Sequence, residues 1–136
     1  MLKLISLSLM ILASASFADE GYEVFKNNCK KCHAELLTKE YTLKNLDKIK
    51  APPMNEVANR LKEQVSIKED EFEDVKRRVI IAFIKDYIQN PRAEDTMCRM
   101  GAVEKFGVMP AVKTLKEDER QAVAKWIYDR YEDVKF

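Results

Sequence analysis

Apolar residues recur at helical spacing in several stretches of this chain, and no stretch alternates apolar and polar residues in the manner of a strand-rich protein. Tyr22, Phe25 and Cys29 follow one another at three and four residues, which predicts a short helix over 21–28. Val57, Ala58 and Leu61 share a face, so a second helix is expected to about Val65, with Asn55 as its cap. The longest pattern joins Phe72, Val75, Val79, Ala82, Phe83 and Tyr87, broadened by Ile80, Ile84 and Ile88. Ser66 and Glu69 form a capping-box pair at its start, with Glu69, Asp70 and Glu71 where a helix dipole favours acids. Asn90-Pro91 ends it, because proline disfavours helical geometry in the preceding residue. A last helix is expected from a Thr114–Glu117 capping box to about Tyr131, with Val123, Trp126, Ile127 and Tyr131 facing inward.

Between these stretches the periodicity fails. Residues 34–53 read as a loop that turns at Pro52-Pro53, and a Met- and Gly-containing loop runs from Pro91 through Pro110. There is no internal repeat and no linker, so the fold class is all-α, with one core.

The first residues follow a different pattern. Lys3, the apolar run Leu4 to Leu12 and the small-x-small Ser16-Phe17-Ala18 have the layout of a secretory signal, so the expected division is 1–18 signal peptide and 19–136 folded domain. The apolar run is shorter than the roughly 20 residues that span a bilayer, and no other stretch could do so. Lys plus Arg number 24 and Asp plus Glu 23. Loss of Lys3 with the signal makes them equal, which gives no case for nucleic-acid binding.

The chemistry is concentrated in Cys29-Lys30-Lys31-Cys32-His33, the attachment signature of a c-type haem. Two thiols at this spacing can add to the vinyl groups of one porphyrin edge, and the adjoining imidazole can reach the iron. Zinc would want four ligands, and the chain offers for this only Cys29, Cys32, Cys98 and His33. A redox dithiol belongs in an alternating strand and helix pattern, which is missing here. Export and haem attachment support each other, because c-type haem is attached outside the cytoplasm and that compartment also permits disulfides. A chain of this size buries about two thirds of its unfolded surface, so a haem would supply part of the core.

His33 is the only histidine, which excludes a second imidazole from the same chain. Candidate sixth ligands are the thioethers of Met54, Met97, Met100 and Met109, the Cys98 thiol, or none. Met ligation suits an electron-transfer haem by raising its potential. Glycine and proline beside Met109 would stiffen that backbone and admit close approach to a porphyrin. Loop closure from His33 favours neither Met109 nor Met100, differing by only about 0.1 kcal/mol. Pro52 or Pro53 could offer a carbonyl to the other ring nitrogen of His33. Cys98 is left over, which points either to a bond with another chain or, as expected here, to burial as a small apolar side chain. Lys30, Lys31, Lys39, Lys105, Lys113 and Lys116 lie close in sequence to the motif or to the Met109 loop, where they form either a basic rim that steers acidic partners or ordinary surface.

The chain resembles the class I monohaem cytochromes c. Gly21 and Phe25 stand eight and four residues before Cys29, as do the glycine and aromatic residue of that family's first helix, and Val123 and Trp126 are spaced like the residues that meet it from the last helix. Tyr87 to Pro91 is similar to the end of the family's third helix, and Gly107-Val108-Met109-Pro110 to its ligand loop. Counted forward from Asn90-Pro91, the family distance falls instead on Met100. The resemblance implies a cytochrome c-like fold around one haem c, bound through Cys29 and Cys32 and ligated by His33 and Met109. It implies a monomeric periplasmic electron carrier, not an enzyme, that exchanges single electrons with redox partner proteins. The alternatives are a five-coordinate or weakly ligated haem for a small gas or peroxide, and a haem subunit of a larger oxidoreductase.

Overall fold

The computed structural model describes the backbone of residues 12–67 and 69–136, and side chains for residues 19–67 and 74–136. Among the described residues six helices follow one another: α1 (Leu12–Asn28), α2 (Lys39–Lys44), α3 (Met54–Gln64), α4 (Glu69–Gln89), α5 (Met100–Phe106) and α6 (Glu117–Arg130). No strand occurs among the described residues, so the molecule is all-α as the periodicity predicts. The signal features of residues 1–11, the side chains of residues 12–18, the Ser66–Glu69 capping box and Phe72 lie outside what is described.

The frame is the crossing of the first and last helices. α6 packs along α1, and also against α4 and α3. The approach is close because Gly21 has no side chain: a Cβ there would lie 2.5 Å from the Ala122 carbonyl oxygen and 2.5 Å from Trp126 Cβ. The Trp126 ring then stacks near Phe25, with centroids 4.8 Å apart, and meets Tyr131 edge-on at 6.0 Å. Phe25, Val123, Ala124 and Tyr131 are among the most deeply buried side chains, and all four inward residues expected of the last helix are buried.

The long helix buries most of the stripe its pattern suggested, but not all of it. Ile80, Ile84 and Ile88, with Ile81, form its buried seam, while Val79 is 41% exposed and Ala82 faces solvent. Ile80, Ile84 and Ile88 repeat at four residues and so stack on one side, which leaves the alanine and Val79 a turn's fraction away from the core. Arg77 clamps α4 to α6 by a bidentate pair to Asp129, with contacts of 2.8–3.1 Å.

Two starts and two loops also depart from expectation. α3 begins at Met54 behind Pro53, and Asn55 lies inside the helix. Its side chain is used elsewhere, accepting from Leu37 N–H at 3.2 Å and donating to Leu37 carbonyl at 2.9 Å. α6 begins after Lys116, whose N–H donates to the Glu119 carboxylate at 2.8 Å, so Thr114 is not its cap. α2 occupies part of the segment expected to be loop, with Thr38 Oγ1 accepting from Tyr41 N–H. α5 occupies part of the Met-rich loop, closed by Gly107 at φ +71°, a left-handed conformation that suits glycine. Lys105 on α5 pairs with Asp47 beyond α2 at 2.5 Å.

Candidate haem cleft

The end of α1 delivers the motif. Cys29 N–H still donates to Phe25 carbonyl at 2.8 Å, after which the chain turns tightly, with Cys32 and His33 N–H both donating to Cys29 carbonyl at 3.1 and 3.0 Å. Two residues between the cysteines therefore make one turn, which sets both thiols and the imidazole along one apolar cleft. That cleft is lined by Cys29, Cys32 and His33 from the motif, by Met54, Val57, Arg60 and Leu61 from α3, by Phe83 and Ile84 from α4, and by Met97, Cys98 and Met109 from the later loops. The stacked rings of Phe83 and Tyr87, 5.4 Å apart, form part of its wall.

The segment after the motif is fixed from behind. Met54 N–H donates to Ala34 carbonyl at 2.8 Å, Tyr131 hydroxyl donates to Glu35 carbonyl at 2.7 Å, and Asn55 holds Leu37 as above. His33 is thus positioned by residues of α3 and by the end of α6. Its Nδ1 lies 2.8 Å from the carbonyl oxygen of Pro52. A carbonyl can only accept, so Nδ1 carries the proton and Nε2 is left with its lone pair free. Burial holds the His33 imidazole below its ordinary range, with the Pro52 bond acting the other way. The neutral form, which a metal requires, is thereby favoured.

The two thiols do not look like a redox pair. Burial pushes the Cys29 thiol up to about 11, and Cys32 adds to the shift. A dithiol that works as a nucleophile needs a lowered value. Among the described residues no three His, Cys, Asp or Glu side chains converge as a metal-ligand group, so zinc finds no ligand set around this pair.

Of the sulfur candidates, Met109, Met97, Met54 and Cys98 border the cleft, whereas Met100 does not and is 77% exposed at the start of α5. Met54 is buried in the core. Met109 follows the Gly107 turn, and Val112 N–H donates to Ile88 carbonyl at 2.9 Å, tying its loop to the end of α4. Cys98 is half-buried and unpaired. The six lysines considered as a rim are all exposed, with Lys30 and Lys105 already facing Glu35 and Asp47.

A family model described as Cytochrome c matches residues 18–129. The chain belongs to the cytochrome c family. Its fold is therefore that of a haem-binding electron-transfer domain, and the donor set suits haem c: soft sulfur, one neutral imidazole and apolar walls. A relative from Aquifex aeolicus (strain VF5), described as an uncharacterized protein, is 41% identical over 142 residues, covering 96% of this chain and 88% of the relative. No solved structure matches. Among the described residues no helix is long and apolar enough to cross a membrane.

The sequence reading missed two cationic side chains of the cleft, Lys50 and Arg60. Arg60 stands six residues after Met54, three after Val57 and one before Leu61, which also border the cleft, so helical spacing held the signal.

Proposed function

We propose that this cytochrome c is an exported, periplasmic carrier of single electrons, with one haem c joined to Cys29 and Cys32 and ligated by His33 and Met109. The observation that carries the reading is that these four side chains, drawn from two distant segments, border one apolar cleft. Bound haem supplies a reversible one-electron iron couple. The chain's own part is to hold the imidazole by its Nδ1 proton, to present Met109 on a loop anchored at both ends of its turn, and to exclude water with Phe83, Leu61 and Ile84. Nothing in such a reaction needs a nucleophile or a general base. Residues 1–18 would be removed as a signal peptide on export, leaving 19–136 as the monomeric domain.

Exposure of Met100 supports Met109 as the thioether ligand, and Met97 is the internal control because it borders the same cleft. The optical spectrum of oxidised holoprotein, matured in a host competent for haem attachment, tests this. A sulfur-to-iron charge-transfer band is expected, lost in Met109→Ala and kept in Met97→Ala and Met100→Ala. A high-spin spectrum in the native protein, or ready carbon monoxide binding when reduced, would overturn the carrier reading in favour of an open haem site. The mass of the exported protein tests attachment and cleavage together: one haem that survives denaturation, on a chain starting at Asp19.

A further inference from the structure

Between α4 and α6 the chain makes an excursion that the core does not hold. Ile88 and Leu115 are buried, and no residue between them is. The excursion is pinched at its base, where Val112 N–H donates to the Ile88 carbonyl at 2.9 Å. Arg92 stays beside this neck, 4.0 Å from Asp86 on α4. Farther out, over residues 93–111, a single hydrogen-bonded ion pair links the excursion to the rest of the described residues, from Lys105 on α5 to Asp47. Asp47 is itself set in a tight turn, with Lys48 and Ile49 N–H both donating to the Asn45 carbonyl at 2.9 and 3.3 Å.

α5 lies in the outer part of this excursion with none of its residues buried. Ala102, Val103 and Phe106 border the cleft, while Met100, Gly101, Glu104 and Lys105 are exposed. The helix takes no substantial part in the packing of α1, α3 and α4 on α6. Its apolar side therefore rests on the contents of the cleft. Counted from Asn90-Pro91, the spacing of the resembled family already ends at Met100, so α5 and the residues up to Met109 are length beyond that pattern.

We propose that residues 93–111 are a flap over the haem cleft, hinged at the Ile88–Val112 neck and latched by Lys105 and Asp47, whose opening draws Met109 away and admits small neutral bases to the cleft. This inference rests on the haem reading above and adds a gate to it. An element with few buried side chains and one outward tie opens locally at far less cost than the core. Ile88 and Leu115 stay anchored on either side of the neck, so α4 and α6 keep their places. Met109 is on the moving side, and His33 is on the fixed side, held by the Pro52 carbonyl. Opening thus uncovers one side of the cleft and leaves the imidazole where it is. The latch is exposed, so it changes the closed-to-open ratio by only roughly two- to five-fold, and salt weakens it.

The test is stopped-flow mixing of ferric holoprotein with imidazole, followed by loss of the sulfur-to-iron charge-transfer band. The proteins compared are the native chain, Asp47→Asn, Lys105→Gln and the exchanged pair Asp47→Lys with Lys105→Asp. Both positions are exposed, and the band before mixing reports that Met109 is still in place. At low ionic strength each single variant is expected to take up imidazole roughly two- to five-fold faster than the native protein, and the exchanged pair to return towards the native rate. Added salt should speed the native protein and leave the single variants unchanged. Amide hydrogen exchange on the same samples should show α5 opening as a unit, faster than α6 and faster still in the single variants. Equal imidazole rates in the native protein and both single variants, or exchange in α5 as slow as in α6, would overturn the flap while leaving the carrier reading intact, provided the band is present. A native ferric spectrum without that band would overturn both.

Discussion

His33 Nδ1 and the Pro52 carbonyl oxygen lie 2.8 Å apart, across nineteen residues of chain. The bond decides which ring nitrogen is free, and it makes the imidazole a stronger electron donor. Pro52→Gly keeps the carbonyl but releases the backbone that aims it. With the bond weakened, the imidazole donates less and the ferrous state gains, so the reduction potential should rise. A potential equal to the native one, measured by redox titration, would show that Pro53 and Met54 fix the carbonyl without help.

Gly21→Ala opposes two effects. Alanine favours a helix over glycine by about 1 kcal/mol, but the new methyl would sit 2.5 Å from a backbone oxygen that cannot swing aside. Overpacking of this kind costs about 1–3 kcal/mol, so net destabilisation is expected. A lower urea midpoint with an unchanged slope is the readout.

Tyr131→Phe removes the hydroxyl that donates to Glu35 carbonyl, at a cost of about 1 kcal/mol. It should also change the alkaline limb of stability. Burial, and then the Glu35 charge, hold the Tyr131 phenol above its ordinary range, so the folded state keeps a proton that the unfolded state releases near pH ~10. The stability this lends is present below that pH and is lost as pH rises beyond it. Urea midpoints followed from neutral pH upward should therefore fall more steeply for the native protein than for Tyr131→Phe.

The Arg77–Asp129 pair joins α4 to α6 with bidentate geometry but is partly exposed. A double-mutant cycle to alanine should give a coupling of about 0.5–1 kcal/mol, falling with added salt. A coupling that does not respond to salt would place the pair's contribution in packing.

The cofactor motif, Gly21 and the inward face of α6 could be read directly, because each depends on spacing within one helix or turn. What escaped was set by contacts across the chain. Asn55 has the chemistry of a cap and is taken instead by Leu37. Thr114 fits a capping box, yet the Lys116 to Glu119 bond starts the helix two residues later. The Pro52 carbonyl was one of two candidates, and only the fold around Met54 and Ala34 selects it. Val79 belongs to a plausible stripe that the isoleucines outcompete. Arg60 carried a helical-spacing signal, but its place at the cleft exists only in three dimensions.

The closure of Tyr131 over Glu35 has a consequence for the order in which the molecule is made. His33 is translated early, and the residue that fastens the chain behind it comes 98 positions later. At about 5–20 residues per second, that interval lasts roughly 5–20 seconds. Throughout it the two cysteines belong to a nascent chain whose closing helix does not yet exist, so the protein's own clamp can only be fastened last.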